Sequence, residues 1–293
     1  MNPLPPGVTP APTTPQPPVN SGAPVSAQSS ASAVAPTTGP GSELVFSTIG
    51  EQCGADAGVK IMSYGDAGTG KTVLCATLPQ PFVIISTENG LLSLSVKNLT
   101  KIFIGLGLDP EQAEQRAIGV KQQRVIIVRN GIQLRKSVEW CASHMGEYRS
   151  VAWDSASETA EVMINAAKAV KADGRQAYGE VADLISKHFK EFRDLLPGKH
   201  VHVVTKQGSM QDMVTGGVKY GPDFPGKQLG PATPYWLDET FRIGVGIDPA
   251  TNQTFRYLQT QPDPQYTAKD RSGMLDQWER PDLAAIIAKI TAQ

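Results

Sequence analysis

The eight residues Gly65-Asp66-Ala67-Gly68-Thr69-Gly70-Lys71-Thr72 restrict this chain more than any other stretch. They read G-x-x-x-x-G-K-[ST], the spacing of a loop that cradles phosphate between a strand and a helix. Val59-Lys60-Ile61-Met62-Ser63-Tyr64 supplies a short apolar strand before it, and Val73-Leu74-Cys75-Ala76-Thr77-Leu78 an apolar helix after it. Glycines let the backbone turn tightly, so that successive N–H groups point at one anion. The helix that follows adds the positive end of its dipole. Lys71 is placed to reach the β- and γ-phosphates of a nucleoside triphosphate, and the Thr72 hydroxyl to ligate Mg²⁺. ATP and Mg²⁺ are therefore the expected ligands.

The remainder of the chain reads as one large domain behind a tail. Residues 1–42 are mostly Pro, Ala, Ser, Thr and Gly and carry no charged side chain. Such a segment has too little apolar surface to offset chain entropy, and the reading is a disordered, partly polyproline-II tail. It is either a docking segment for a partner or a plain extension. Residues 43–293 form the expected ordered domain.

Strands are expected at Phe82–Thr87, Val125–Val128, Ser150–Ser155 and His200–Thr205. Helices are expected at Ile132–His144, Ala156–Val170 and Val181–Leu196. This alternation implies an α/β fold, a mostly parallel sheet with helices on both faces. Two late strands, Phe241–Val245 and Thr254–Leu258, join around Asp248-Pro249, and a terminal helix runs from Pro281 to Ile290. Between Lys206 and Gly230 lie six glycines and two prolines. No regular element is expected there, and a long irregular stretch inside a domain is usually functional or disordered.

Formal net charge is −1 and the sequence pI about 6.4, so binding to nucleic acid has to come from a local patch. Cys53, Cys75 and Cys141 are odd in number and widely spaced, as expected of free thiols in a reducing cytoplasm rather than a disulfide or metal framework. No apolar run reaches membrane-spanning length and no signal peptide is evident, so the expectation is a cytoplasmic protein with no membrane partner. His144, His188, His200 and His202 form no ligand spacing, and the four tryptophans read as core or interface residues.

Other acids decide what becomes of the phosphate. Asp154 ends an apolar strand, where a Mg²⁺-side carboxylate belongs. The next residue is Ser155 rather than Glu, so the general base has to come from elsewhere. Glu88 follows the strand after the phosphate loop, and in a doubly wound sheet the strand ends converge on the ligand crevice.

Taken in order, Gly65–Thr72, Ser86-Thr87-Glu88-Asn89-Gly90, Val151–Ser155 and Val203-Val204-Thr205-Lys206-Gln207 resemble the motifs of RecA-like P-loop ATPases. The resemblance is closer to phage-encoded nucleotide-binding proteins, core-only members linked to single-strand annealing and recombination. It spans roughly Val59 to Ile290.

The resemblance implies that Glu88 activates water, that Asp154 is the Mg²⁺-side acid and that Gln207 senses the γ-phosphate. It implies that Lys269 and Arg271 reach the nucleotide of a neighbouring subunit in a ring or filament homo-oligomer. Two DNA-binding loops are implied. Lys168, Lys171 and Arg175 belong to the first. Lys206, Lys219, Tyr220, Phe224 and Lys227 belong to the second, cations to follow the phosphates and rings to stack on bases. Single-stranded DNA is the implied partner, with a single-strand DNA-binding protein as a further one, in the host-cell cytoplasm if the chain is phage-encoded. Lys206 stands where RecA itself carries asparagine, and a separate N-terminal DNA-binding domain is not expected. Two other functions fit the same phosphate loop: a small-molecule or nucleotide kinase, and a non-catalytic nucleotide-gated adaptor.

Overall fold

A computed structural model describes residues 48–49, 57–88, 90–170, 174–194, 196, 198–211 and 216–292. The tail of residues 1–42, Cys53 and Lys171 lie outside them.

The elements run β1 (Lys60–Gly65), α1 (Lys71–Cys75), β2 (Phe82–Ser86), α2 (Val96–Gly105), α3 (Pro110–Lys121), β3 (Arg124–Ile127), α4 (Gly131–His144), β4 (Ser150–Asp154), α5 (Ala156–Val170) and α6 (Gly174–Asp194). They continue with β5 (His200–Gln211), β6 (Val218–Asp223), α7 (Leu229–Ala232), β7 (Glu239–Ile247), β8 (Thr254–Gln259), β9 (Lys269–Asp270), β10 (Trp278–Glu279) and α8 (Leu283–Thr291). The strands form one sheet in the order β10-β8-β7-β1-β5-β4-β2-β3, with β6 paired to β5 and β9 to β7. From β7 to β3 every neighbouring pair is parallel. The expected α/β class, mostly parallel with helices on both faces, is the fold observed.

Alternation along each buried strand sorts its side chains into two cores. Met62, Val83, Ile85, Val151, Trp153 and Val203 face α4, α5 and α6. Ile61, Ile84, Ala152, Val204 and Ile243 face α1, α2, α3 and α8. Burial on both faces explains why these strands read as continuous apolar runs.

Helices α2 and α3 are not among the expected elements. Helix α3 starts at a local signal: Asp109 accepts from the Glu111 and Gln112 N–H groups, and Pro110 occupies the first turn. Arg116 of α3 pairs with Asp282, the cap of α8, at 2.8 Å and lies over the Phe103 ring of α2. One half-buried cation thus joins three helices. Helix α6 begins at Gly174, earlier than the expected Val181.

The largest departure is the segment from Lys206 to Gly230. Among its described residues, most are in paired strands. Strand β5 continues to Gln211 and β6 returns antiparallel to it, with Gln207 opposite Pro222 and Gly208 opposite Gly221. Two of its glycines mark close approach. A Cβ on Gly208 would come within 2.6 Å of the Asp223 side chain, and one on Gly230 within 2.6 Å of the Pro222 carbonyl. Pro222 lacks a backbone donor, and β6, whose second edge is bridged at Tyr220 by Tyr266 and is not part of a full ladder, tolerates it. The two expected late strands extend to Ile247 and Gln259 and pair as an antiparallel hairpin. No helix among the described residues is long and apolar enough to cross a membrane.

Candidate nucleotide site

Because β1, β2, β4 and β5 are parallel, their C-terminal ends open on the same edge of the sheet. Four side-chain sources meet there: the loop after β1, Glu88 after β2, Asp154 at the end of β4, and Gln207 partway along β5. Strand β5 lies between β1 and β4, so Gln207 comes up between the phosphate loop and the strand bearing Asp154. A cleft of about 670 Å³ is lined by residues 65–74 together with Glu88, Lys206, Gln207 and Arg256.

The loop has the backbone its glycines predict. Gly68 and Gly70 sit at φ +78° and +102°, conformations costly for side chains with a Cβ. Lys71 follows at the first position of α1, and its Nζ donates to the Gly65 and Asp66 carbonyls at 2.9 and 2.7 Å. Burial holds its pKa below the usual lysine value, against the opposing pull of Glu88, Asp154 and Asp66.

Asp154 is buried, and burial pushes its pKa up to about 6. A hydrogen bond from Thr72 and the charge of Lys71 work the other way, while Glu88 reinforces the rise. Thr72 and Asp154 together present hard oxygen donors, the set Mg²⁺ takes when phosphate and water complete its shell. Among the described residues no cluster of three or more His, Cys, Asp or Glu could cage a metal.

Glu88 is exposed at the rim, on a segment pinned at several points. Ser155 Oγ donates to Glu88 Oε1 at 3.0 Å. Thr87 N donates to the Asp154 carbonyl at 3.0 Å, and Ser86 Oγ to the Glu88 carbonyl. Gln207 Oε1 is a buried oxygen with no hydrogen-bond partner. An unpartnered buried amide oxygen in a polar cleft calls for a donor such as a water or a ligand group.

The other expected site residues fall elsewhere. Lys269 Nζ donates to the Pro234 and Leu237 carbonyls, and Arg271 pairs with Asp238 at 2.9 Å. Neither lines the cleft of its own chain. Lys168 is exposed and donates to Tyr178 Oη at 2.9 Å, with Arg175 exposed at the start of α6.

In the hairpin, Lys206 is held by Glu158 and Glu161 of α5 at 2.9 and 2.6 Å, so a nucleic-acid phosphate would have to compete with two carboxylates. Lys219 is half-buried on β6 and Lys227 exposed beyond it. Tyr220 is half-buried and stacked on Tyr266 at 5.3 Å between centroids. Phe224 is not a stacking platform. Only 4% of it is exposed, and its ring packs edge-on against Phe189 in the core. The apolar surroundings that α6 provides claimed a ring that the resemblance assigned to a DNA-binding loop.

The histidines make local hydrogen-bond and packing contacts. His202 is fully buried between Ser63 and Cys75, and burial drives its pKa down to about 3. His144 is exposed and stacked on Trp140. Cys75 and Cys141 are buried free thiols.

One residue of the site was missed altogether. Arg256 on β8 reaches over the phosphate loop and donates from Nε to the Thr69 carbonyl at 2.9 Å. The only hint in sequence is its place in the alternating strand Thr254–Leu258.

A family model described as an AAA domain matches residues 57–272. No curated protein sequence matches the chain. Among solved structures, a KaiC-like protein from the hyperthermophilic archaeon Pyrococcus horikoshii is similar at 12% identity and a TM-score of 0.37, over 69% of this chain and 77% of that one. The RadB recombinase is similar at 16% identity and a TM-score of 0.42, over 70% of this chain and 88% of that one.

Proposed function

The chain belongs to the AAA domain family, and from that premise we propose that it hydrolyses Mg·ATP and couples the state of the γ-phosphate to binding of single-stranded DNA. The observation that carries the coupling is Gln207. Its unpartnered Oε1 is at the nucleotide cleft, and its backbone begins the β5–β6 hairpin. A group that would meet the γ-phosphate thereby sits within the hairpin proposed to contact the DNA.

The phosphate loop binds and orients the triphosphate through its N–H groups and Lys71. Thr72 and Asp154 would hold Mg²⁺, which when bound neutralises charge on the phosphate oxygens. Glu88 orients the attacking water and takes its proton as the new P–O bond forms and the bond to the leaving diphosphate breaks. Ser155 keeps the Glu88 carboxylate turned to that task.

In this reading Lys269 and Arg271 complete the site of an adjoining copy in a ring or filament. Arg271 would have to exchange Asp238 for phosphate. Lys219 and Tyr220 of the hairpin and Lys227 beyond it supply the DNA contact, with Lys168 and Arg175 as a second patch. The order of the four motifs along the chain favours strand annealing or recombination as the process served, in a phage setting and in the cytoplasm.

Steady-state ATP hydrolysis by the full chain, with and without single-stranded DNA across protein concentration, tests this reading. The rate is expected to rise with DNA and faster than linearly with protein. A rate indifferent to both, with no DNA complex at low salt, contradicts it. Replacing Lys219 or Lys227 by Ala should each reduce the slope of log affinity against log salt by ~0.7.

A further inference from the structure

Arg256 lies far from the phosphate loop in sequence yet touches its outermost backbone. The register of the β7–β8 hairpin puts it there. Ile243 pairs with Leu258 and Val245 with Arg256, and directly opposed residues share a face of the sheet. That face is the one turned to the phosphate loop, since a Cβ on Gly65 would lie 3.3 Å from the Ile243 side chain.

From this position Arg256 Nε donates to the Thr69 carbonyl at 2.9 Å, and Nη2 makes a longer bond of 3.4 Å to the Gly68 carbonyl. The stem of the side chain runs alongside Gly70, where a Cβ would meet Arg256 Cδ at 3.2 Å. Glycine at 70 therefore serves two needs, a positive φ and room for this arginine.

A trans peptide points its C=O and N–H in opposite directions. Fixing the Thr69 carbonyl toward Arg256 turns the Gly70 N–H to the opposite side of the loop. We propose that Arg256 is a positioning residue for nucleotide binding: it holds the outer carbonyls of the loop so that the Gly70 N–H is set toward the phosphates before the nucleotide arrives. It acts through the loop rather than as a charge on the phosphate. The inference rests on the nucleotide-binding reading of the cleft. It deepens that reading by adding a latch from a strand that contributes nothing else to the loop.

Preorganised donors lower the cost of binding without needing to change the chemical step. In the full chain, Arg256→Ala should raise the dissociation constants of ADP and of ATP by similar factors, roughly tenfold each, which corresponds to ~1.4 kcal/mol. Turnover at saturating ATP should stay within about twofold of wild type, because the lost interaction serves binding and not the transition state. Arg256→Gln keeps an uncharged donor and should recover part of the affinity.

Wild-type affinity in Arg256→Ala would overturn the proposal. So would recovery by Arg256→Lys with none by Arg256→Gln, since that pattern belongs to a charge on the phosphate. A thermal melt of each variant separates loss of the latch from loss of the fold. If the wild-type chain itself bound neither nucleotide, the reading of the cleft would fall and this inference with it.

Discussion

Ser155 Oγ donates to Glu88 Oε1 at 3.0 Å and so joins the ends of two neighbouring parallel strands, β4 and β2. The bond gives a physical role to the residue that stands where an acid beside Asp154 is absent. The carboxylate comes from the adjacent strand, and the serine holds it. Ser155→Ala should lower turnover by about tenfold, near what one hydrogen bond to a charged group contributes, about 1.5 kcal/mol. The Michaelis constant for ATP should be unchanged. Steady-state kinetics checks this, and an unaltered turnover number would show that Glu88 needs no such support.

Phe224 should behave as a core residue. Removing its ring from contact with Phe189 is expected to cost about 3–5 kcal/mol of folding stability, the range for a large buried aromatic. DNA affinity per folded molecule should not change. Urea unfolding of Phe224→Ala beside wild type, with DNA binding measured well below the transition, separates the two roles. Normal stability with lost DNA binding would return this ring to the nucleic-acid surface.

Glu239 on β7 is a buried acid whose pKa is pushed up to about 8 by burial, with Asp270 adding to the rise and backbone N–H groups of Ser272 and Arg271 opposing it. A folded-state pKa above the unfolded value gives stability that is complete below the unfolded pKa, near 4.5, and lost as pH rises through 8. Neutral Glu and Gln are close in shape. Glu239→Gln should therefore melt with wild type near pH 4 and progressively above it from pH 5 to 8, with no further gain beyond. A gain independent of pH would contradict this.

What was legible in the sequence was local. The phosphate loop declares itself because its glycines and Lys71 are contiguous. Asp154 and Glu88 could be singled out as candidates because Asp154 ends an apolar strand and Glu88 comes just after one, and parallel strands bring such positions to one edge. Arg256 was hidden because its partner, Thr69, is brought near only by the strand order and the hairpin register. The β5–β6 hairpin was hidden for a different reason. Gly208 and Gly230 read as breakers, although each marks a place where another chain segment passes too close for a Cβ. Phe224 was misplaced because an aromatic near lysines on a glycine-rich stretch has the composition of a nucleic-acid surface whether its ring points in or out. Helix α3 had a readable start in Asp109-Pro110, but its alanine-based buried face, Ala113 and Ala117, is too weakly apolar to stand out.

The cleft lined by the phosphate loop and Glu88, with Asp154 buried beside it, is the proposed site of ATP turnover. The most direct test of that proposal is one comparison: ATP binding and hydrolysis by the full-length wild type and by Glu88→Gln, with Mg²⁺ and single-stranded DNA present. The predicted result is that both bind ATP with similar affinity, while hydrolysis falls by roughly 10²–10⁴-fold in the variant, the range for loss of a general base. Equal turnover by the two proteins would contradict the account.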